Sequence, residues 1–539
     1  MREVAEVAVR GEPSWTDAPA IPLDLDGPAV PFRVFCSVSG PEVPILDHIR
    51  AMARATPNAV AIQDGRRAVT YRCLIEAAEA LGGAIAAVTE PGRPVGIRLP
   101  DGADGPVALL ACLVAGVPAV PIDRADPPDR VRALVAAGGL GAMVTDEPFP
   151  GLPCIAPAAS GPRPDPARAI AQGAPAFIVF TSGSTGQPKG IVHSQRSVLH
   201  RAGLLVNSGH LHAGDAYLSL NVAASMGALL NAVAAWLAGA TLHRVAAAAG
   251  PMGLGRVLGH IRAHAVTAMI GVPVVYRALT RLSAARDALG SLRLVSSNGE
   301  ALLSADLAQM RAVLSRDCKV QIVYGATEAQ AGLRFIPSWE CTGSPQVAAG
   351  RPVPGTQFAI RREDGSAAGP GEAGALHIRS RYTAIGEWRG GACVTGRLHP
   401  SGDPALGWRC YAMGDVVRAR DDGVFVVIGR EDRQIKVNGV RIEPVEVEAV
   451  LRDDPDVMEA VVLPVPGTFG VDLVAFVAAS RGASTKMLRE RLTERLAARL
   501  AGALRPRRLH VLPALPMLSS NKVDAAALSA FDLASRRDV

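Results

Sequence analysis

The stretch Thr181-Ser182-Gly183-Ser184-Thr185-Gly186-Gln187-Pro188-Lys189-Gly190 decides how this chain is to be read. It follows the apolar run Ala176 to Phe180, which reads as a buried strand, and precedes a helical pattern that begins at Ser194. Three glycines and four hydroxyl residues around one lysine make a nest of N–H and O–H donors suited to a polyphosphate. The order is not G-x-x-x-x-G-K-[ST], because Pro188 stands where that loop requires glycine. A Ser/Gly-rich stretch alone is usually only a loop. Its place after a buried strand, and the lysine inside it, give it chemical content.

That lysine is one of five (Lys189, Lys319, Lys436, Lys486, Lys522), against fifty-one arginines. A compact ammonium and a planar guanidinium are not interchangeable, so a lysine kept in this background marks a site that needs a point charge. The rest of the composition narrows the class. The chain has 539 residues, 49% hydrophobic and 20% charged, which excludes disordered and collagen-like classes and predicts several lobes. No period of about 20 to 50 residues recurs, so a solenoid or propeller is excluded. The net charge of +6 is interleaved with acids and aromatics are only 4%, so no nucleic-acid partner is expected. Eight scattered cysteines form no C-x-x-C or paired Cys/His spacing, and read as reduced small hydrophobes. No signal-type apolar segment follows Met1, and the apolar stretch Val107 to Ile122 is broken by Gly116, Pro118 and Pro121. It is expected to be helix, turn and buried strand, in a cytoplasmic protein with no membrane partner.

Along the chain, residues 1–40 are Pro-rich and read as an arm. Residues 41–430 form the expected core. Helical segments alternate to about residue 300 with short apolar runs, among them Val95 to Leu99, Ala142 to Thr145, Ala268 to Ile270 and Leu292 to Ser296. That alternation predicts an α/β class, with parallel sheets flanked on both faces by helices. Within the core, 350–430 is dense in turns and short β runs, and predicts a small β-rich lobe. Residues 431–433 read as a hinge, and 434–539 as a small mobile α+β domain.

The decisive stretch resembles the phosphate-loop signature of the adenylate-forming superfamily: acyl-CoA synthetases, luciferases and the adenylation domains of nonribosomal peptide synthetases. Further matches follow in the family's order: Val69 to Arg72, Ala115 to Asp123, Tyr324-Gly325-Ala326-Thr327-Glu328, Gly350 to Gly355, Gly414-Asp415, Gly429 to Lys436, Arg441-Ile442-Glu443 and Asn521-Lys522-Val523-Asp524. They run from about residue 46 to 527, and most resemble a freestanding adenylation domain.

The resemblance implies ATP and Mg²⁺ and the following roles. Thr181, Ser182, Gly183, Ser184, Thr185, Gly186 and Lys189 close over the β- and γ-phosphates. Tyr324 and Gly325 lie against adenine near Gly299 and Glu300. Thr327 meets the α-phosphate and Glu328 helps hold Mg²⁺. Asp415 takes the ribose hydroxyls with Arg430 beside it. Asp432 is the hinge, Lys522 the catalytic lysine of the adenylating conformation, and Lys436 is brought in for the second step. Lys319 and Lys486 match no motif. Three departures remove no catalytic charge: Asn521 replaces a glycine, Tyr411-Ala412-Met413 shortens a motif before Gly414-Asp415, and Gln195 replaces a histidine.

Anchored on Ala238-Gly239-Ala240-Thr241, the pocket for the acid is expected to include Ser225, Met226, Gly227, Leu230, Gly271, Ser296, Asn298, Val323, Ala331 and Gly332. Amino-acid-activating relatives carry an aspartate for the α-ammonium group in the first of these stretches, and none is present here. A buried, uncompensated ammonium is costly, so the acid is expected to lack an ordinary α-amine. Seventeen residues follow Lys522 without a carrier-type serine motif, so the acyl group is expected to pass to a separate acceptor. The first choice is the phosphopantetheine thiol of a carrier protein in secondary-metabolite biosynthesis, the second coenzyme A, then an amine. A catalytically silent scaffold is the alternative of another class.

Overall fold

A computed structural model describes residues 15–17, 28, 30–35, 40–182, 188–245, 251–329, 333–335, 347–402, 406–421, 423–431, 435–437, 440–442, 444–467, 470–500, 505–518 and 523–535. Three larger sheets and two smaller ones organise them.

The nine-stranded sheet has a parallel centre. Its strands run Lys319–Val323, Leu294–Asn298, Ala268–Gly271, Ala216–Ser219, Thr241–Arg244 and Val60–Gln63, and antiparallel strands lie only at its margins. The eight-stranded sheet is also mixed: Val95–Arg98, Ala119–Pro121, Ala142–Thr145 and Phe177–Ser182 are parallel, and Pro188–His193, Gly386–Arg389 and Ala392–Val394 add antiparallel strands. The expectation of parallel sheets between helices therefore holds at the centres and fails at the edges. Sequence alternation could not separate Pro188–His193 from its neighbours, because it reads as the tail of the glycine-rich loop. Val107 to Ile122 resolves as expected, with helix Asp104–Ala115 stopped by Gly116 at φ 73° before the buried strand Ala119–Pro121. Among the described residues no helix is long and apolar enough to cross a membrane.

The helices are cut where the sequence supplies caps. Thr70, Ser194 and Ser225 each accept from a backbone N–H three residues on, starting helices Tyr71–Val88, Gln195–Gly209 and Met226–Ala238. Helix Ile45–Ala55 buries Ile45 and Ile49, one turn apart. Gln195, where the motif has histidine, is buried and structural: its Oε1 accepts from the Ile45 N–H at 3.1 Å and its Nε2 donates to the Ile170 carbonyl at 2.9 Å.

The β-rich lobe is an antiparallel six-stranded sheet built on Thr356–Arg361, Ala373–Ser380, Arg409–Ala419 and Phe425–Arg430. It recruits Thr16–Asp17 from the N-terminal region, whereas Gly386–Arg389 and Ala392–Val394 leave it for the eight-stranded sheet. Beyond it, Val457–Gly467, Gly470–Ala479 and Arg508–Leu512 form a three-stranded sheet with its own core of Val447, Leu451, Leu473, Leu488 and Leu492.

This small unit meets the large one through buried charge. Arg277 is 4% exposed. It donates to Asp306 at 3.1 Å and pairs with Glu459 on the strand Val457–Gly467. Arg452 pairs with Glu459 at 2.6 Å, and Arg281 donates to the Val457 carbonyl at 2.7 Å. Taking one member from a buried set strands the others, which costs about 3–5 kcal/mol. Arg277→Ala is therefore expected to lower the melting temperature by several degrees and Arg281→Ala by less, measured side by side by thermal denaturation.

Candidate active site

Three neighbouring parallel strands end together. Gly271 stands opposite Ser297, and Asn298 opposite Val323, so the chain leaves the sheet at one level from Ala268–Gly271, Leu294–Asn298 and Lys319–Val323. The carboxyl ends of parallel strands form a crevice where loops, not packed side chains, face outward. Gly299 turns there at φ 81° and Glu300 follows it, exposed; the next strand continues into Tyr324, Gly325, Thr327 and Glu328.

The β-rich lobe closes one side of this crevice. Asp415 and Arg430 are cross-strand partners in register, and Arg430 Nη1 lies 3.3 Å from Asp415 Oδ1. Tyr324 donates its hydroxyl to Asp415 Oδ2. Burial, followed by the Asp415 charge, raises the Tyr324 phenol well above its ordinary value, so it stays a donor. Tyr324, Asp415 and Arg430 are thus brought together from two sheets.

The phosphate-loop stretch sits on a hairpin. Thr181 pairs with Lys189 and Ser182 with Pro188 across antiparallel strands, and Thr181 Oγ1 donates to the Lys189 carbonyl at 3.4 Å. Lys189 Nζ lies 2.7 Å from Glu387 Oε1 and 3.4 Å from Glu328 Oε1. Arg397 Nη2 also reaches Glu328, at 3.0 Å. Glu387 lies on the neighbouring strand Gly386–Arg389 with its side chain 1% exposed. Burial alone would raise its carboxyl, but hydrogen bonds from Lys189, Arg389 and the Arg397 amide override that and hold its pKa at about 2. Sequence motifs missed Glu387. The one signal is an acid inside the apolar strand pattern Ile385 to Trp388.

Glu328 fits as a ligand of Mg²⁺, an ion that keeps several waters and takes only one or two carboxylates beside substrate phosphates. It is 8% exposed and lies beside the ammonium at the foot of the phosphate hairpin. Among the described residues no group of three or more His, Cys, Asp or Glu side chains could hold a metal by itself.

The expected acid pocket lies along the same strand ends. Met226 and Leu230 are buried, and Gly227, Asn298 and Val323 are half-buried. Two candidates spend their hydroxyls internally: Ser225 caps its own helix, and Ser296 donates to Gln321 Oε1 at 2.9 Å. Gly271 has no room for a side chain beyond Cβ, which would stand 3.1 Å from Leu220 and 3.4 Å from the Tyr276 hydroxyl. Gly183, Ser184, Thr185, Gly186, Ala331, Gly332, Asp432 and Lys522 lie outside the described residues. The Ser182 and Lys436 backbones lie in strands Phe177–Ser182 and Ile435–Val437, and their side chains are outside the description.

Comparison with known proteins agrees with this arrangement. Residues 49–388 match the family of AMP-binding enzymes, and residues 446–522 the AMP-binding enzyme C-terminal domain. The chain belongs to this family: it is an adenylate-forming ligase of the nonribosomal-peptide-synthetase and acyl-CoA-ligase type. It is 31% identical to phosphinothricin tripeptide synthetase PhsB of Streptomyces viridochromogenes over 95% of its own length, but spans only 45% of that protein. It is 29% identical to the dapdiamide synthesis protein DdaD of Enterobacter agglomerans, covering 89% of this chain and 80% of that one. The fold is shared with the anthranilate CoA ligase AuaEII in complex with anthranoyl-AMP (TM-score 0.77, 22% identity, 92% of this chain and 97% of that one). It is shared too with the amide bond synthetase McbA from Marinactinospora thermotolerans (TM-score 0.73, 21% identity, 91% and 100%).

The depressed Glu387 carboxyl has a pH consequence. Its folded pKa of about 2 lies below the unfolded carboxylate value of ~4.3, so the ion pair stabilises the fold above the unfolded value and is lost as pH falls towards the folded one. The stability gap between wild type and Glu387→Gln is expected to be constant above about pH 5 and to close towards about pH 2. Urea unfolding at a series of pH values measures it, and a gap independent of pH would refute the pairing.

Proposed function

We propose that this chain activates a carboxylic acid lacking an ordinary α-amino group as its acyl-adenylate, releasing pyrophosphate. The acyl group then passes to the phosphopantetheine thiol of a carrier protein. The observation that carries this reading is the convergence of Lys189 and Glu328 on one side of the strand-end crevice with Tyr324, Asp415 and Arg430 on the other. A nucleoside placed against Tyr324, with its ribose hydroxyls on Asp415, directs its phosphates towards Lys189 and the 181–190 hairpin.

Attack of a carboxylate on the α-phosphate gathers negative charge on non-bridging oxygens and on the departing pyrophosphate. Mg²⁺ held at Glu328 would supply Lewis-acid charge there. Lys189 gives up its contacts with Glu328 and Glu387 to donate to the outer phosphates, Thr327 donates to the α-phosphate, and Lys522 supplies the ammonium between acid and α-phosphate. Asp432 serves as the hinge by which Lys522 withdraws and Lys436 enters for thiol transfer. Thr181, Ser182, Gly183, Ser184, Thr185 and Gly186 cover the phosphates, and Gly299, Glu300 and Gly325 flank the adenine.

The absence of an α-amine site is supported by strand polarity. Asp215, the nearest upstream acid, precedes strand Ala216–Ser219, whereas the helix at Met226 begins beyond that strand's other end. Asp215 is also fully engaged, accepting from Thr267 at 2.7 Å and from Arg293 at 2.9 Å.

ATP–pyrophosphate exchange over a panel of acids, half with an α-amine and half without, tests the reading. Exchange is expected with acids of the second kind, and Lys522→Ala and Lys189→Ala are each expected to lose a hundredfold or more, the cost of one positioned charge at about 3 kcal/mol of barrier. Exchange confined to α-amino acids would sink the substrate proposal. No exchange with any acid would favour the silent scaffold. Loading of a phosphopantetheinylated carrier protein, compared with coenzyme A, decides the acceptor.

A further inference from the structure

A chain of hydrogen-bonded amides, two of whose members (Asn221 and Asn231) belong to no motif, ends at Asn298 of the expected acid pocket. Tyr217 donates its hydroxyl to Asn231 Oδ1 at 3.3 Å. Asn231 Nδ2 donates to Ser219 Oγ and to Asn221 Oδ1, both at 3.0 Å, and Asn221 Nδ2 donates to Asn298 Oδ1 at 3.2 Å. Arg244, 5% exposed, holds the base of the chain: its Nη1 donates to the Asn221 carbonyl at 3.0 Å and the Ser219 carbonyl at 3.3 Å, while Asp101 takes Nη2. Each amide oxygen is used to accept, so each NH₂ faces onward. The last one, Asn298 Nδ2, has no hydrogen-bond partner among the described residues. It lies 3.4 Å from where a Gly227 Cβ would stand, at the start of helix Met226–Ala238, and the Asn298 backbone is in register with Val323.

Gly227 explains why the amides fit. A Cβ there would stand 2.9 Å from Asn221 Nδ2 and 3.4 Å from Asn298 Nδ2, so a side chain would push into the pair. The missing side chain leaves room for two amides where the helix would otherwise seal the pocket wall.

We propose that Asn298 determines specificity by donating its amide N–H to a neutral oxygen of the acid being activated (a hydroxyl, carbonyl or ether oxygen), and that Asn221 is the residue positioning it. This rests on the acid-activating reading above. A wholly hydrocarbon acid would bury the Asn298 donor without a partner, which costs more than the bond contributes when made. An ammonium group carries only donors and would set N–H against N–H. A second carboxylate would find the guanidinium at the base of the amide line, Arg244, already held by Asp101. A neutral acceptor is the chemistry that satisfies the site.

The test is pyrophosphate exchange with matched acids that differ by one oxygen: hydroxy, oxo and deoxy forms of the same skeleton. Wild type is expected to favour the oxygen-bearing forms by about 10- to 100-fold in kcat/KM. Asn298→Leu should bring that ratio close to one. Asn298→Asp replaces the donor with an acceptor, and should keep hydroxy acids, which can donate, while losing oxo acids. Asn221→Ala should raise KM for oxygen-bearing acids with kcat largely kept, as expected of a positioning residue. A thermal shift on adding ATP shows that each variant is folded. Equal rates for oxygen-bearing and deoxy acids, or a preference that survives in Asn298→Leu, overturn the inference and leave the activity standing. No exchange with any acid overturns both.

Discussion

The ion pair between Lys189 and Glu387 is the contact that the phosphate side of the site depends on. It joins two antiparallel strands inside the eight-stranded sheet, with Glu387 fully buried and Lys189 half-buried. A buried carboxylate without a cation is prohibitively costly, and a lysine at the foot of a glycine-rich hairpin without an anion would wander. Lys189, together with Arg389, holds the Glu387 carboxylate ionised. Glu328 and Arg397 extend the pair into a network of alternating sign, so the ammonium lies within reach of a second acid before any phosphate arrives. In the proposed function a polyphosphate would replace these anionic oxygens on Lys189, and Glu387 would keep Arg389 at 2.6 Å as its cation.

On the opposite side, Tyr324, Asp415 and Arg430 are fixed by register. Asp415 faces Arg430 because two antiparallel strands pair them, and it reaches Tyr324 because the end of a parallel strand abuts that lobe. Two ladders of different sense therefore meet at one hydroxyl–carboxylate hydrogen bond. The third boundary, towards the small C-terminal unit, is made by Arg277 and Glu459. Buried ion pairs are directional and contribute little net stability, so this contact specifies an orientation more than it strengthens the assembly.

Much of this was legible in the sequence, for physical reasons that differ by region. The strand Ala142–Thr145 emerges at the bounds that its apolar run predicts. The residues expected to line a nucleotide stood out as short motifs, and three of them, Tyr324, Asp415 and Arg430, meet in space. Glu387, Asn221 and Asn231 did not stand out. Glu387 meets Lys189 across 198 residues, Asn221 meets Asn298 across 77 and Asn231 meets Asn221 across 10, and a lone acid or amide carries no local signature. The antiparallel margins were hidden for the same reason: strand direction is a property of the pairing, which the residues of one strand do not encode.

The acid pocket shows how an absence in one element is read through another. Met226 and Gly227 lack a carboxylate, which says only what the pocket does not hold. The positive statement comes from the neighbouring strand ends. Asn221 follows the strand carrying Tyr217 and Ser219, Asn298 closes Leu294–Asn298, and Arg244 closes Thr241–Arg244, so three carboxyl ends contribute to one hydrogen-bonded line. Because the guanidinium at its base can only donate, it favours carbonyls and oxygens turned inward and N–H groups turned outward. The line thus starts from a buried arginine that donates to the Ser219 and Asn221 carbonyls and to Ser219 Oγ. Glycine at 227 is the concession that lets this line reach the pocket.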